Sequence, residues 1–308
     1  MVAVLTAEKP KIIQLRVDSQ PDYGFVLHVP PRSVPVGYKT ESLHMAHGLG
    51  YGPDRTTQAL LPVSERGVHL FSPYFQHHHE MLTTKTAGSF ACDYPEKVLL
   101  ASMQAAYEIT GERFHSGGSS WGGFENGKVH LKYELPKTKT LHFYSTPYDI
   151  RKSARTIVRR VIRKSPGWVC EKLIDMIRRP NAKVEDYESD TIVKDVLREN
   201  MDDYHGNLWE FAELVRYFLR EKLPEGEFRV PTIIIYGDKD ILLDHRSQLE
   251  LYLRSPEGSE MHLINGGRHG LLDRLEDDVI PLGISFSEKF MEPVPAKRKR
   301  YAFWKKAA

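Results

Sequence analysis

The sequence predicts an α/β protein, with a mostly parallel central sheet flanked by helices and a helical segment inserted before the last strands. Three observations predict it. Strand-like and helix-like segments alternate from about residue 42 to residue 145 and again from residue 230, the order expected of successive strand–helix units. Val230 to Tyr236 is an apolar, β-branched run of the kind that fills the middle of a parallel sheet. Between them, from Pro147 to about Glu225, only helical periodicity is found.

In order, Lys11 to Val17 and Gly24 to Val29 are β-rich and flank Gln20-Pro21-Asp22-Tyr23, whose proline and aspartate suit a reversal, so an antiparallel hairpin is expected. A strand from Ser42 to Ala46 runs into His47-Gly48-Leu49-Gly50-Tyr51-Gly52, a loop whose three glycines open backbone shapes closed to other residues. A helix near Thr56 to Pro62, a strand near Val68 to Ser72, a helix from Tyr94 to Thr110 and a strand near Arg113 to His115 follow, and then a strand from Thr140 to Ser145. Ala154 to Ile162, Val169 to Ile177 and Leu208 to Leu219 carry the helical periodicity of the insertion. After Val230 to Tyr236 come a helix from His245 to Arg254, a strand from Glu260 to Ile264 and a helix from about Leu271 to Phe290. The expected division is a core of residues 1–146 and 226–292, a helical cap of 147–225, and a basic tail of 293–308.

Composition excludes several classes. A chain of 308 residues with 41% apolar content can bury a large core. Its formal charge of +2 gives no whole-molecule attraction to nucleic acid or to an anionic membrane. No uncharged apolar run approaches the roughly 18 residues of a membrane span. The first residues lack a signal-peptide pattern, and the two cysteines, Cys92 and Cys170, form no metal or redox spacing, so a cytoplasmic setting is expected.

The chemistry concentrates in three places. Gly118-Ser119-Ser120-Trp121-Gly122 fits GxSxG and lies between a predicted strand and helix, where a serine is held on a tight turn with its hydroxyl exposed at the sheet's carboxyl edge. A hydroxyl needs a base to take its proton, and His269 follows the last predicted strand through Asn265-Gly266-Gly267-Arg268. A buried acid must orient that imidazole, and Asp240, at the end of the Val230 to Tyr236 strand, completes the chain order Ser, Asp, His. Asp238 competes but sits nearer the turn, where aspartates bond their own backbone, and Asp149 is the weaker alternative.

With His47-Gly48, Gly118 to Gly123, Gly237 to Asp240 and Gly267 to Gly270, the chain resembles the α/β-hydrolase superfamily, in the branch with a cap before the last core strands, over nearly all of Lys11 to Phe290. That resemblance implies an oxyanion site made by the Leu49 and Trp121 amides, substrate contacts from His47, Gly48, Tyr51 and His77, and no cofactor. It also implies that epoxide and haloalkane relatives carry a carboxylate where this chain has Ser120. Two departures stand out. Phe124-Glu125-Asn126-Gly127-Lys128 holds poor helix formers, so the helix after the serine is expected to be short or irregular. The loop after the fourth strand lacks the superfamily's Asp-x-x-Gly-x-Gly pattern.

Other signals read as structural. Consecutive His77, His78 and His79 rarely converge on one ion, so no metal is expected. His115 reads as a buried, hydrogen-bonded core residue. Basic residues from Arg151 to Lys164 and acidic ones from Glu185 to Asp203 suit mutually paired helix faces, with an anionic substrate group under the cap as the sharper alternative. The expected function is hydrolysis of a carboxylester or related acyl bond in a small molecule, without nucleic-acid or membrane partners and with the oligomeric state left open. The alternative is a catalytically silent receptor or interaction protein on the same fold.

Overall fold

The computed structural model describes residues 9–17, 20–32, 40–48, 52–75, 94–164, 167–178, 208–243, 245–274 and 276–290. Among these described residues eight strands form one sheet: β1 (Lys11–Val17), β2 (Gln20–Val29), β3 (Glu41–Ala46), β4 (Val68–Pro73), β5 (Phe114–Ser119), β6 (Thr138–Tyr144), β7 (Thr232–Gly237) and β8 (Glu260–Ile264). Their spatial order is β1-β2-β4-β3-β5-β6-β7-β8. The β1–β2 and β2–β4 pairs are antiparallel, and every pair from β4 to β8 is parallel. The helices are α1 (Pro53–Ala59), α2 (Leu61–Ser64), α3 (Tyr94–Thr110), α4 (Trp121–Lys132), α5 (Ile150–Lys164), α6 (Gly167–Arg178), α7 (Leu208–Arg220), α8 (His245–Leu253), α9 (Leu271–Arg274) and α10 (Glu276–Glu288).

Strand periodicity explains why the central sequences are apolar throughout. Successive side chains point to opposite faces, so a strand covered on both sides has no polar side to show. In β7, Ile233 and Ile235 join one core with Leu43, Met45, Val68 and residues of α9 and α10. Ile234 and Tyr236 join the other with Leu141, Phe143, Leu99 of α3 and Phe124 of α4. Leu173 of α6 and Ala212, Val215 and Phe218 of α7 belong to that second cluster, so the helices inserted between β6 and β7 share the apolar core of the sheet.

Several boundaries differ from the sequence reading. β2 begins at Gln20, paired with Val17, so the expected Gln20 to Tyr23 turn is strand instead. The helix expected at Thr56 to Pro62 starts earlier, with Pro53 in its first turn, and is interrupted at Leu60 before α2. β5 runs on through Gly117 and Gly118 to Ser119. The helix expected over Leu271 to Phe290 is two, α9 and α10. Most consequentially, α4 is a twelve-residue helix, not a short or irregular one. Asn126 gives up solvent to donate to the Gly117 carbonyl at 2.5 Å and to pair with Ser116 Oγ at 3.0 Å, while Gly127 leaves room for Phe143. Tertiary partners thus outweigh weak helix propensity. The basic tail, the whole acidic stretch from Glu185 to Asp203 and His77 to His79 lie outside the described residues.

Candidate active site

Ser120 is the single residue between β5 and α4, and its backbone stands at φ 50°, ψ −119°. A non-glycine residue rarely adopts this conformation, which costs on the order of 1–3 kcal/mol and persists only where the surroundings hold it. Here its N–H donates to the Tyr144 carbonyl at 2.9 Å and its carbonyl accepts from the Phe124 amide at 3.1 Å. The flanking glycines are required by space. A Cβ at Gly122 would overlap the Ala46 and His47 carbonyls, and one at Gly118 would overlap the backbone of Gly122 and Gly123. The tight packing of β3, β5 and α4 therefore turns the Ser120 side chain out at the carboxyl edge of the sheet.

Asp240 and His269 come from the loops after β7 and β8. Those loops are laced together: Lys239 N–H donates to the Gly267 carbonyl at 2.9 Å and Asp238 N–H to the Ile264 carbonyl at 3.2 Å. Gly237 and Gly267 touch backbone to backbone, leaving no room for a side chain at residue 237. The result places His269 Nδ1 2.8 Å from Asp240 Oδ2 and His269 Nε2 2.7 Å from Ser120 Oγ. Asp240 Oδ1 accepts the Leu242 amide at 2.9 Å, which fixes the carboxylate plane. The Asp240 side chain is 1% exposed and the His269 imidazole 20%, so the carboxylate is sealed while the ring can be reached. With a carboxylate at Nδ1, the ring carries its proton there, leaving the Nε2 lone pair to accept a hydrogen bond from the Ser120 hydroxyl.

The other two candidate carboxylates, Asp149 and Asp238, have different surroundings. Asp149 is held two-pronged by Arg151, at 2.8 and 2.9 Å, and that guanidinium keeps its carboxyl below the usual carboxylate range. Asp238 keeps one buried oxygen without a hydrogen bond.

Trp121 opens α4, so its amide lies at the helix N-terminus beside the serine. Leu49, Tyr51 and His77 fall outside the described residues. Gly48 is buried beside His47. His47 is held on both sides by backbone. It is fully buried, its Nδ1–H donates to the Gly48 carbonyl at 2.8 Å and its Nε2 accepts the Phe75 amide at 3.1 Å. With both nitrogens engaged by backbone, the imidazole braces the ends of β3 and β4.

Glu125 was not singled out from the sequence, yet it is fully buried under the serine turn. Its Oε1 accepts from Trp121 Nε1 at 2.9 Å and from the Tyr217 hydroxyl of α7 at 2.7 Å. Burial pushes its carboxyl up to about 7. Its spacing of four residues from Trp121 on one helix face was the available signal. Among the described residues no cluster of His, Cys, Asp and Glu could hold a metal ion, and no helix is long and apolar enough to cross a membrane.

Residues 97–278 match the family model described as serine aminopeptidase, S33. No curated protein matches the chain in sequence. Among solved structures, a thermophilic esterase from Thermogutta terrifontis is similar at TM-score 0.60 and 12% identity, over 91% of this chain and 100% of that one. The enol-lactonase from Burkholderia xenovorans LB400 is similar at 0.60 and 14%, over 90% and 100%. An epoxide hydrolase from Vigna radiata is similar at 0.61 and 14%, over 92% and 99%. At these identities the likeness establishes a shared fold.

Proposed function

The chain belongs to the hydrolase family described as serine aminopeptidase, S33, and has the α/β-hydrolase fold; from that premise we propose that it is a serine hydrolase acting on a carboxylester or related acyl bond of a small molecule. The observation that carries the reading is the continuous chain from Ser120 Oγ through His269 to Asp240, with contacts of 2.7 and 2.8 Å.

In this reading His269 Nε2 takes the proton of Ser120 as its oxygen attacks the acyl carbon, and Asp240 stabilises the imidazolium that results. The carbonyl electrons move onto oxygen, which receives the Trp121 amide and, by the superfamily resemblance, that of Leu49. Each such donor is worth about 100-fold to 1000-fold in rate. His269 then returns the proton to the leaving group, and water, activated by the same base, releases the acid from Ser120. Residue 120 is a hydroxyl, so epoxide opening through an ester to an enzyme carboxylate is not the chemistry offered here.

Labelling with a fluorophosphonate probe tests this. The wild-type chain should be labelled covalently and Ser120→Ala should not. Labelling retained in the variant would place the nucleophile elsewhere; no labelling of either protein would favour a silent receptor. Short-chain p-nitrophenyl esters and aminoacyl arylamides then separate esterase from aminopeptidase activity.

A further inference from the structure

Five residues before Ser120 along β5, about 16 Å away at the rise of a strand, His115 lines a cavity near the amino ends of β3 and β5. Its volume is about 460 Å³, inside the range of about 300–1,000 Å³ typical of small-molecule sites. The cavity lies between the sheet and α10, with an apolar wall that includes Leu43, Val68, Ile280 and Ile284. At its rim Arg66 and Glu288 form an exposed ion pair at 3.2 Å.

The polar groups gather at one end, and nearly all are satisfied by one another. Lys139 Nζ donates to both oxygens of Glu41, at 2.9 and 2.6 Å. His115 Nδ1 meets Thr140 Oγ1 at 2.7 Å, and His142 Nε2 meets Thr140 Oγ1 at 3.0 Å and Ser287 Oγ at 3.2 Å. His115 Nε2 alone breaks the pattern. The residue is 2% exposed, this nitrogen makes no hydrogen bond, and it stands 3.7 Å from Glu41 Oε2, too far for a direct one. Facing a carboxylate, Nε2 carries the ring proton, and Nδ1 accepts from the Thr140 hydroxyl. A ligand hydroxyl lodged between the two would accept from His115 Nε2–H and donate to Glu41 Oε2.

We propose that this cavity is a second binding site, separate from the Ser120 edge, for a neutral and mainly apolar alcohol or phenol whose hydroxyl bridges His115 and Glu41. Neutrality follows from the charges on the page. Glu41 is met by Lys139 and Arg66 by Glu288, while burial holds His142 down at about 3 and His115 well below its ordinary value, so both rings are uncharged. A charged ligand would lose its water here and find no opposite charge to replace it.

Calorimetric titration of the full chain with 1-octanol tests the proposal, with octanoate as the charged comparator. Saturable submillimolar binding is expected in wild type and equally in Ser120→Ala, with octanoate at least about 10-fold weaker. Ile284→Trp, whose indole fills the cavity from α10, should weaken octanol at least about 10-fold while leaving hydrolysis unchanged. His115→Phe, which removes the hydroxyl's partner, should also weaken it, so either variant suffices should the other fail to fold by circular dichroism. Absence of saturable binding, binding indifferent to both substitutions, or binding lost in Ser120→Ala would each overturn it. None of these outcomes bears on the serine-hydrolase reading, which the phosphonate probe tests separately.

Discussion

Asp238 and Asp240 differ by two positions and by the same chemistry, yet only Asp240 reaches the imidazole. The reason is local: residue 238 is spent on the turn, where its amide bonds to Ile264, while residue 240 points back beneath His269. Sequence order and turn position rank Asp240 first, because both follow from where strands end. The role of His47 was not legible in the same way, since a His-Gly pair looks identical whether the ring faces substrate or backbone, and only Phe75, 28 residues away, decides it. The placement predicts a sharp contrast. Asp240→Asn keeps the shape but lets the ring take the wrong tautomer, so kcat should fall by about 10³-fold to 10⁴-fold with KM little changed. Asp238→Asn and Asp149→Asn should each stay within about 10-fold of wild type, because neither touches His269. Steady-state kinetics on whichever ester or arylamide proves active, with circular dichroism as the folding control, checks all three.

At the scale of elements, β5 and α4 were the hardest to read and matter most. Gly117 and Gly118 weaken the strand signal, and Asn126 and Gly127 the helix signal, because propensity describes a segment alone. These residues were selected by their neighbours: Gly117 lies against the His142 backbone, and Asn126 ties the helix to the strand that precedes it. Asn126→Ala would strand the buried Ser116 hydroxyl and Gly117 carbonyl, so it should cost about 2–4 kcal/mol in urea unfolding, well beyond the gain in helix propensity. Glu125, next to it, links the serine turn to α7. Its neighbours oppose each other, since Lys128 favours the charged form and Glu221 disfavours it, and desolvation prevails. A carboxyl raised by folding contributes stability that is complete below its ordinary value near 4.5 and is lost as pH rises from there through about 7. Thermal melting should therefore contain a loss over that window, on the order of 1–3 kcal/mol and set against the opposite, rising contribution of the buried His115 and His142 rings, that Glu125→Gln removes, giving the variant the more upward slope. An equal slope in wild type and variant would show that Glu125 is not its source.

For the molecule as a whole, strand–helix alternation revealed the class of fold, whereas the neighbour relations within the sheet were not readable. Nothing in β2 or β4 announces that they pair antiparallel while β3 lies on the far side of β4, because that choice is made by the crossover helices and the shared faces they cover. The same consideration bears on the insertion. Residues 147–225 read as a helical cap inserted over the sheet, and a segment that folds separately needs its own core. Trp121 at the serine turn instead packs edge-on against Phe218 of α7, with ring centroids 5.5 Å apart, inside an apolar cluster that also holds Leu141 and Phe143 of the sheet. Inserted helices and sheet should then unfold together. In a Cys92→Ser background, thiol labelling at Cys170 on α6 reports the insertion and far-ultraviolet circular dichroism reports the whole chain. One shared urea midpoint is expected, and Phe218→Ala should lower both signals in parallel by about 3–5 kcal/mol. A Cys170 transition that precedes the global one would mean that the buried cluster joins two independently stable bodies, and that the insertion can open over Ser120 without loosening the sheet beneath it.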